Sequence, residues 1–247
     1  MIRISAFRLR HLAVSRLAEA SCRVPALRAR AVERFATGLR DLNDAIAGTE
    51  LDGRYWVWGG LLLGWARDRA ILPHDCLDAD FGVTDEDFGA LIGAVPAIVA
   101  AGFACDRRFV NDNGQVTELT FSRHGARYEF FRMFPGDGKL RYYLYSLKLA
   151  EVAEIEAALP DQPTDEFSFL GRTWRKHADH ALELRTTYGS WEVPDPDWSY
   201  LDGLDIVARR VSRYSHSDFD WRDQASVWRD RAGLAAGSAA TSRAATP

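Results

Sequence analysis

Two aspartates separated by a single residue, Asp78 and Asp80, are the residues of this sequence best suited to chemistry. The run around them, DADFGV, is typical of a β-strand, in which alternate side chains project from the same face. We therefore expect both carboxylates on one face, with Leu77, Ala79 and Phe81 packed on the other. Neighbouring carboxylates repel each other unless a cation lies between them, and hard oxygen ligands suit Mg²⁺ or Mn²⁺. The pair predicts a divalent-metal site.

A phosphate-binding element precedes this pair. The apolar run YWVW, residues 55–58, predicts a buried strand that ends at Gly59 and Gly60. We expect a Gly-Gly turn there, followed by a short helix over residues 61–67. Free backbone N–H groups at such a turn and helix start would bind phosphate oxygens, and Arg67 could hold a phosphate or pair with a nearby aspartate. One stretch thus predicts both parts of a metal-dependent phosphate-transfer site.

The order strand, Gly-Gly, helix and Asp-x-Asp strand resembles the nucleotidyltransferase fold. More narrowly, GGLLLGWARDRAILPHDCLDADFGV is similar to the core motif of the LicD/fukutin family, which is roughly GGTLLGWxR, then IPHD or IPWD, then DxD. Near the end of the chain, LELRTTYGSWEVPDPDW resembles the closing segment of that family. The resemblance implies an α/β (α+β) fold, with a nucleotidyltransferase-like mixed β-sheet flanked by helices and with N- and C-terminal helical additions.

The resemblance also implies an activity. Family members transfer a phosphorylated small alcohol, such as choline phosphate or ribitol phosphate, from a CDP-linked donor to a glycan hydroxyl and release CMP. The expected partners are therefore a CDP-linked donor and a cell-surface or secreted polysaccharide. By this analogy Asp78 and Asp80 hold the Mg²⁺ or Mn²⁺, while His74 and Asp75, at the IPHD position, border the donor pocket.

A third carboxylate is expected from a neighbouring strand. Residues 103–134 predict three strands, FACDRRFV, VTELTFSR and ARYEFFRMF. In the third, Glu129 lies between two aromatic residues and should point away from them. Families of this fold use a third carboxylate on a neighbouring strand, and Glu129 fits by order and spacing. Glu118 is a competing candidate, and Glu129 could instead pair with Arg127 or Arg132.

Two departures from the family pattern leave other functions open. Leu61 replaces the usual threonine after the second glycine, and the spacing from Asp75 to the Asp pair is one residue longer. A different transferase of this fold would move a nucleoside monophosphate from an NTP to a small molecule or protein. A non-catalytic nucleotide-binding or scaffold protein could also retain the fold.

Composition restricts the class of protein. The 247 residues are 47% hydrophobic and 27% charged, with a net charge of −4, so bulk charge does not favour nucleic acid as a partner. Three scattered cysteines argue against a disulfide framework and for a reducing compartment. No apolar run is long enough to span a bilayer. We expect a cytoplasmic protein. Its Arg-rich residues 1–30 predict a solvated helix face or, alternatively, peripheral contact with the inner membrane surface.

The expected organisation is a single nucleotidyltransferase-like domain over residues 1–232, followed by a disordered tail over residues 233–247. Within it we expect an N-terminal helical segment (1–50), a catalytic core (54–135) and a C-terminal region (136–232). Residues 25–47 and 178–188 predict helices, and Thr84 is expected to cap a helix that runs to about Ala101 with a kink or break at Pro96. The Glu-rich residues 151–160 predict a helix or loop, and residues 198–232 show helical spacing.

Three further clusters carry weaker predictions. Asp85, Glu86 and Asp87 predict acids of a first helical turn rather than a metal site. His177 and His180 predict a structural pair rather than metal ligands. A basic cluster, comprising Arg172, Arg175 and Lys176, would either neutralise phosphate or form an ordinary surface.

Overall fold

The computed structural model describes residues 24–111, 114–146, 153–195, 197–198, 205–211 and 217–218. Within these residues the chain forms four helices, one large mixed sheet and one small sheet. The helices are α1 (Pro25–Ile46), α2 (Gly59–Asp68), α3 (Phe88–Ala100) and α4 (His180–Tyr188). The strands are β1 (Tyr55–Trp58), β2 (Asp78–Thr84), β3 (Ala104–Val110), β4 (Val116–Arg123), β5 (Ala126–Gly136), β6 (Lys139–Ser146), β7 (Ala153–Pro160), β8 (Thr164–Phe169), β9 (Arg172–His177), β10 (Asp205–Val211) and β11 (Ser217–Asp218). The predicted α+β class is confirmed.

Strand β5 is the centre of the large sheet. Its first part pairs in parallel with β2 and antiparallel with β4, and its last residues pair antiparallel with β6. Strands β2 and β4 lie on opposite edges of β5: beyond β2 the sheet continues to β1, and beyond β4 it continues to β3 and β11. From the end of β5, β6 leads to β7 and β10. Strands β8 and β9 form a separate hairpin. The β2–β5 pair places residues from two distant parts of the sequence side by side.

The two faces of this sheet differ in chemistry. On one face, alternate residues of β2 and β5 are fully buried, among them Ala79, Phe81, Tyr128 and Phe130. They pack with the apolar stripe of α1, which contributes Phe35, Leu39, Leu42 and Ile46 to the same core. Burial of that stripe is the main reason for the helix, because its first turn lacks acidic residues and its N-terminus has no side-chain cap. The opposite face of β2 and β5 carries the acidic residues.

Helix α3 begins three residues later than the sequence indicated. Thr84 does not cap it; its hydroxyl accepts a hydrogen bond from the backbone N–H of Asp87 at 3.2 Å in the preceding turn. Pro96 lies within the helix without ending it. The neighbouring acids are engaged in ion pairs, Asp85 with Arg132 and Asp87 with Arg54. They are therefore neither first-turn acids nor a metal cluster.

Two predictions for the C-terminal half are wrong. Residues 153–160 form strand β7 rather than a helix or loop, because β6 and β10 pair with it on both sides and bury its centre. Residues 205–211 form strand β10, although Val207 and Val211 had suggested helical spacing. In both cases pairing with a distant strand overrides local helix preference. By contrast, the helix predicted over residues 178–188 is present as α4, and Gly189 follows it with a φ of +66°.

Several expectations concern residues outside the described ranges. They include the basic residues up to Arg23, the aromatic residues Tyr200, Tyr214, Trp221 and Trp228, and the tail over residues 233–247. Among the helices that the structure describes, none is both long and apolar enough to cross a bilayer.

Candidate functional site

Three carboxylates meet on the polar face of the sheet. Asp78 and Asp80 project from β2, and Glu129 lies directly beside Asp80 in the parallel pairing of β2 with β5. One carboxylate oxygen from each of the three lies within 4.8 Å of the others. We call Asp78, Asp80 and Glu129 the acidic triad. The structure thus brings together residues that are about fifty positions apart in sequence.

A basic residue, Arg127, lies beside the acidic triad. Its Nη2 donates a hydrogen bond to Asp78 Oδ2 at 2.6 Å, and its Nε lies 3.5 Å from Glu129 Oε1. The negative charge of Asp78, followed by that of Glu129, raises the pKa of the guanidinium, which therefore stays charged. Arg127 thus provides the cationic partner of the triad. Sequence reasoning treated it only as an alternative partner for Glu129, although its i, i+2 spacing places both residues on one face.

The proximity of the acids disfavours the ionised form of each carboxyl group. Burial, and then the proximity of Glu129, raises the pKa of Asp78 well above its usual range. Burial, and then the proximity of Asp78, does the same to the pKa of Asp80. Arg127 opposes both shifts without cancelling them. A site with several carboxylates and incomplete positive compensation favours an additional cation.

The two glycines lie against the acids. A Cβ atom at Gly59 would overlap the carboxylate of Asp80, and one at Gly60 would overlap that of Asp75. Gly59 also has a φ of +63°, which favours glycine. The strand ends at the glycines and the chain turns at Gly59, as expected, but α2 begins at Gly59 rather than at residue 61, so both glycines belong to its first turn. The N–H groups of that turn still lack helical partners, so the phosphate-binding argument applies to the helix N-terminus.

A cleft of about 720 Å³ begins beside these glycines. Its polar lining includes Gly60, Arg67, His74 and Asp75, which are four of the residues expected to bind substrate. Its aromatic wall comes from the end of α4 and the segment that follows, and consists of Tyr188, Trp191 and Trp198. The indole N–H groups of Trp191 and Trp198 have no hydrogen-bond partner in the described part of the chain. The cleft therefore combines a helix N-terminus, basic groups and aromatic surfaces.

Asp75 links the cleft to the acidic triad. It lines the cleft, and its negative charge contributes to the raised pKa values of Asp78 and Asp80. Burial is the main reason that its own pKa is raised. Tyr188 occupies a similar position, since burial and then the charges of Asp80 and Asp75 raise the pKa of its hydroxyl. The lengthened spacing after Asp75 therefore does not remove it from the site.

Arg67 lines the cleft and contacts two neighbouring residues. Its Nη1 donates to the backbone carbonyl of Trp191 at 3.4 Å, and its Nε lies 3.8 Å from Asp68 Oδ2. The first contact ties α2 to the aromatic wall, and the second matches the alternative pairing weighed from the sequence. Only 14% of the side chain is exposed.

Other sequence candidates lie elsewhere. Arg172 pairs with Asp44 on α1, and Arg175 bonds to residues of β8. The buried Lys176 lies over the ring of Trp65. None of these three basic residues contacts the acidic triad. His177 stacks on Trp56 with its Nδ1 2.5 Å from Glu183 Oε2, so it belongs to a buried structural pair with Glu183 rather than with His180.

Glu118, the competing third carboxylate, is not part of the triad. It lies opposite Phe131 in the β4–β5 pairing, and Phe131 is two residues along β5 from Glu129. Its carboxylate accepts a hydrogen bond from Thr120 Oγ1 at 3.0 Å. It is buried, and that burial, with the charge of Glu129, raises its pKa well above the usual range. It therefore flanks the triad on the side away from β2.

The triad suits a hard divalent cation. Three carboxylate oxygens grouped within 4.8 Å form an all-oxygen donor set of the kind that binds Mg²⁺ or Mn²⁺, and the proximity of the carboxylates contributes to the raised pKa values of Asp78 and Asp80. Asp78 and Asp80 would hold such an ion, with Glu129 at its edge.

Comparison with known proteins agrees with this geometry. Residues 52–141 match the family model described as LicD/FKTN/FKRP, nucleotidyltransferase domain. The matched segment runs from before β1 into β6, so it contains α2, the glycines, the whole acidic triad and Arg127. The aromatic wall of the cleft (Tyr188, Trp191 and Trp198) lies outside the matched segment. No curated protein matches the chain.

Proposed function

Because this chain carries a nucleotidyltransferase domain of the LicD/fukutin family, we propose that it is a metal-dependent transferase that moves a phosphorylated small alcohol from a CDP-linked donor to a glycan hydroxyl. The match to this family supports a transferase activity. The observation that carries the finer proposal is the position of the acidic triad, next to a cleft that begins at a helix N-terminus.

The donor would lie in the cleft. The free N–H groups at the start of α2 would donate hydrogen bonds to its phosphate oxygens, Arg67 would add positive charge, and His74 would add a further hydrogen bond. Tyr188, Trp191 and Trp198 offer flat surfaces for the base, and the unpartnered indole N–H groups could donate to its carbonyl oxygens. A volume of about 720 Å³ is within the range of pockets that enclose a small-molecule ligand.

The reaction would occur at the triad. The acceptor oxygen forms a bond to the phosphorus that carries the small alcohol, the bond from that phosphorus to CMP breaks, and the hydroxyl proton passes to Glu129. A divalent cation held by Asp78 and Asp80 supplies electrostatic stabilisation of the phosphate charge. Arg127 keeps the Asp78 carboxylate oriented through its 2.6 Å hydrogen bond.

A donor screen tests the proposal. The protein is incubated with Mg²⁺ or Mn²⁺ and a panel of CDP-choline, CDP-ribitol, CDP-glycerol and other nucleotide-linked compounds, and release of nucleoside monophosphate is measured. We expect CMP from at least one CDP-linked compound, dependent on the metal and absent with Asp80→Asn. The matched control is Asp165→Asn, which removes an exposed carboxylate on β8.

The same screen separates the alternatives. Release of pyrophosphate from an NTP, without CMP from any CDP-linked compound, would favour a nucleotidyl transferase and contradict the proposal. If the chain binds CDP-choline or CTP with metal but turns over neither, it is a nucleotide-binding protein that retains the fold. Membrane contact through the basic N-terminal residues remains a prediction for a vesicle-binding assay.

A further inference from the structure

A second and smaller pocket lies on the other side of the acidic triad. Its volume is about 130 Å³, and we call it the β3–β6 pocket because its lining comes from β3, β4, β5 and β6. The lining consists of Arg107, Phe109, Glu118, Arg127, Glu129, Phe131, Leu144 and Tyr145. Glu129 and Arg127 belong to both this pocket and the triad's surroundings, so the pocket opens directly onto the reacting groups.

Strand order places the triad between the two pockets. The donor cleft is built on the β1–β2 side, by α2 and the loop before β2. The β3–β6 pocket is lined by β3 and β4 on the opposite side of β5, and Leu144 and Tyr145 of β6 complete its lining. In phosphoryl transfer the attacking and leaving oxygens are roughly in line on opposite sides of the phosphorus. A donor in the cleft would therefore require its acceptor to approach from the side of the β3–β6 pocket.

The register of the strands explains why polar groups meet there. Glu118 lies opposite Phe109 on β3 and opposite Phe131 on β5. Arg107 and Glu129 both lie opposite Thr120, which bonds to Glu118. All of these side chains are thus on the face of the sheet that carries the triad. Within the described residues, the buried carboxylate of Glu118 accepts a hydrogen bond from Thr120 but forms no ion pair.

The lining is suited to a neutral polyhydroxylated group. Glu118 and Glu129 can accept hydrogen bonds from hydroxyl groups, and Arg107 and Arg127 can donate to them. Two carboxylates in the lining disfavour an anion, because Arg127 is already paired with Asp78. Phe109 stacks on Tyr145 with ring centroids 4.7 Å apart, and Phe131 adds a further apolar wall. A sugar ring has hydroxyl edges and apolar C–H faces that fit both kinds of surface.

Given the proposed function, we propose that the β3–β6 pocket binds the terminal sugar of the glycan acceptor, with Glu118 and Arg107 as residues that bind and orient it. A pocket of about 130 Å³ is smaller than those that enclose whole drug-sized ligands, so only one terminal unit enters. Glu118 is then a specificity-determining residue outside the triad, which explains a buried carboxylate at a position that the metal site does not use.

Binding of simple sugars tests this inference without turnover. Saturation-transfer NMR is recorded with Mg²⁺ and a panel of methyl glycosides of glucose, galactose, N-acetylglucosamine and N-acetylgalactosamine as probes. We expect at least one glycoside to bind the wild type and to bind about tenfold or more weakly to Glu118→Gln and to Arg107→Ala. Glu118→Gln keeps the shape of the side chain, and Arg107→Ala is a second variant at a partly exposed position, so one of them should remain folded by circular dichroism.

Two comparisons make the result decisive. CDP binding is measured in parallel and should change less than twofold in either variant, while Trp198→Ala in the donor cleft should weaken CDP and leave glycoside binding intact. The Asp165→Asn control should alter neither. The inference is overturned if no glycoside binds, or if binding survives both pocket variants and is lost in Trp198→Ala. Failure of the donor screen with intact glycoside binding would instead refute the proposed reaction.

Discussion

Arg127 donates a hydrogen bond of 2.6 Å to Asp78, so the acidic triad already has one cationic partner from the protein itself. The guanidinium also lies 3.5 Å from Glu129. A divalent cation at the triad would therefore share these carboxylates with Arg127. This relationship leads to the first prediction, on how the protein responds to metal.

Replacing Arg127 with alanine should increase the stabilisation that Mg²⁺ or Mn²⁺ gives. Without metal, the free energy of unfolding should fall by about 1 kcal/mol, at the low end for a charged hydrogen bond because both side chains are partly exposed. With metal, the rise in Tm should exceed that of the wild type, since the competing guanidinium is gone. Differential scanning fluorimetry measures both effects. Arg123→Ala, which removes an ion pair with Asp41, is the control, and an equal or smaller metal response in Arg127→Ala would contradict the prediction.

Asp78→Asn and Asp80→Asn should each abolish turnover while retaining the fold. Both amides preserve side-chain size but remove a metal-binding oxygen and a charge, and loss of mutual repulsion should leave the metal-free Tm unchanged or higher. CMP release and thermal unfolding are measured on the same samples. Full activity in either variant would show that the triad is not the reaction centre.

Without metal, stability should decrease as the pH rises. Asp78 and Asp80 have pKa values raised in the folded state, mainly by burial, whereas their unfolded pKa is about 3.9. Between those values the folded protein binds more protons than the unfolded chain, so the free energy of unfolding falls with increasing pH. The loss begins above pH of about 4 and continues through the raised pKa values.

Urea denaturation in EDTA over a pH series measures this slope. The slope should be smaller in Asp80→Asn and smaller still in the double asparagine variant. Mg²⁺ should counter the loss at higher pH, because ionised carboxylates bind the metal better than protonated ones. A wild-type slope that is unchanged in both variants would assign the pH dependence to other groups.

Gly59→Ala should destabilise the protein by roughly 1–3 kcal/mol. The added methyl group would meet the Asp80 carboxylate, and the backbone φ of +63° is strained for alanine. Gly89→Ala is the matched control, since that glycine lies in α3 with open space around its Cβ position, and it should be neutral or stabilising by up to about 1 kcal/mol. Chemical denaturation compares the two. Equal stability in both variants would show that Gly59 does not closely approach Asp80.

Trp191→Ala and Trp198→Ala should weaken CDP binding by about fivefold to 150-fold each. This range corresponds to the roughly 1–3 kcal/mol that stacking of a base on an aromatic side chain contributes. Isothermal titration with CDP and Mg²⁺ gives the affinity, with Leu182→Ala on the exposed surface of α4 as the control. If CDP affinity is unaffected by both tryptophan variants, the base does not lie against the aromatic wall.

Local sequence patterns predicted the elements around the triad well. The strand at residues 55–58, the two-residue alternation of Asp78 and Asp80 and the three strands over residues 103–134 are all present. These segments combine clear alternation with turn residues between them, so each element is specified by its own side chains. The sequence did not predict that α2 starts at Gly59, that α3 starts at Phe88, or that β7 and β10 are strands. Helix starts and strand pairing depend on residues that are distant in sequence.

By itself, the sequence identified the residues that we propose carry the chemistry: two aspartates on one face of a strand, a glutamate between aromatic residues, and glycines before a helix. The tertiary structure alone decided which of them meet. Parallel pairing of β2 with β5 places Glu129 beside Asp80. Antiparallel pairing of β4 with β5 places Glu118 opposite Phe131, where it lines a separate pocket. The same pairing gives the triad Arg127 as its cation. Spacing fixes the face on which a side chain lies because it follows from strand geometry, whereas register across strands depends on packing of the whole core.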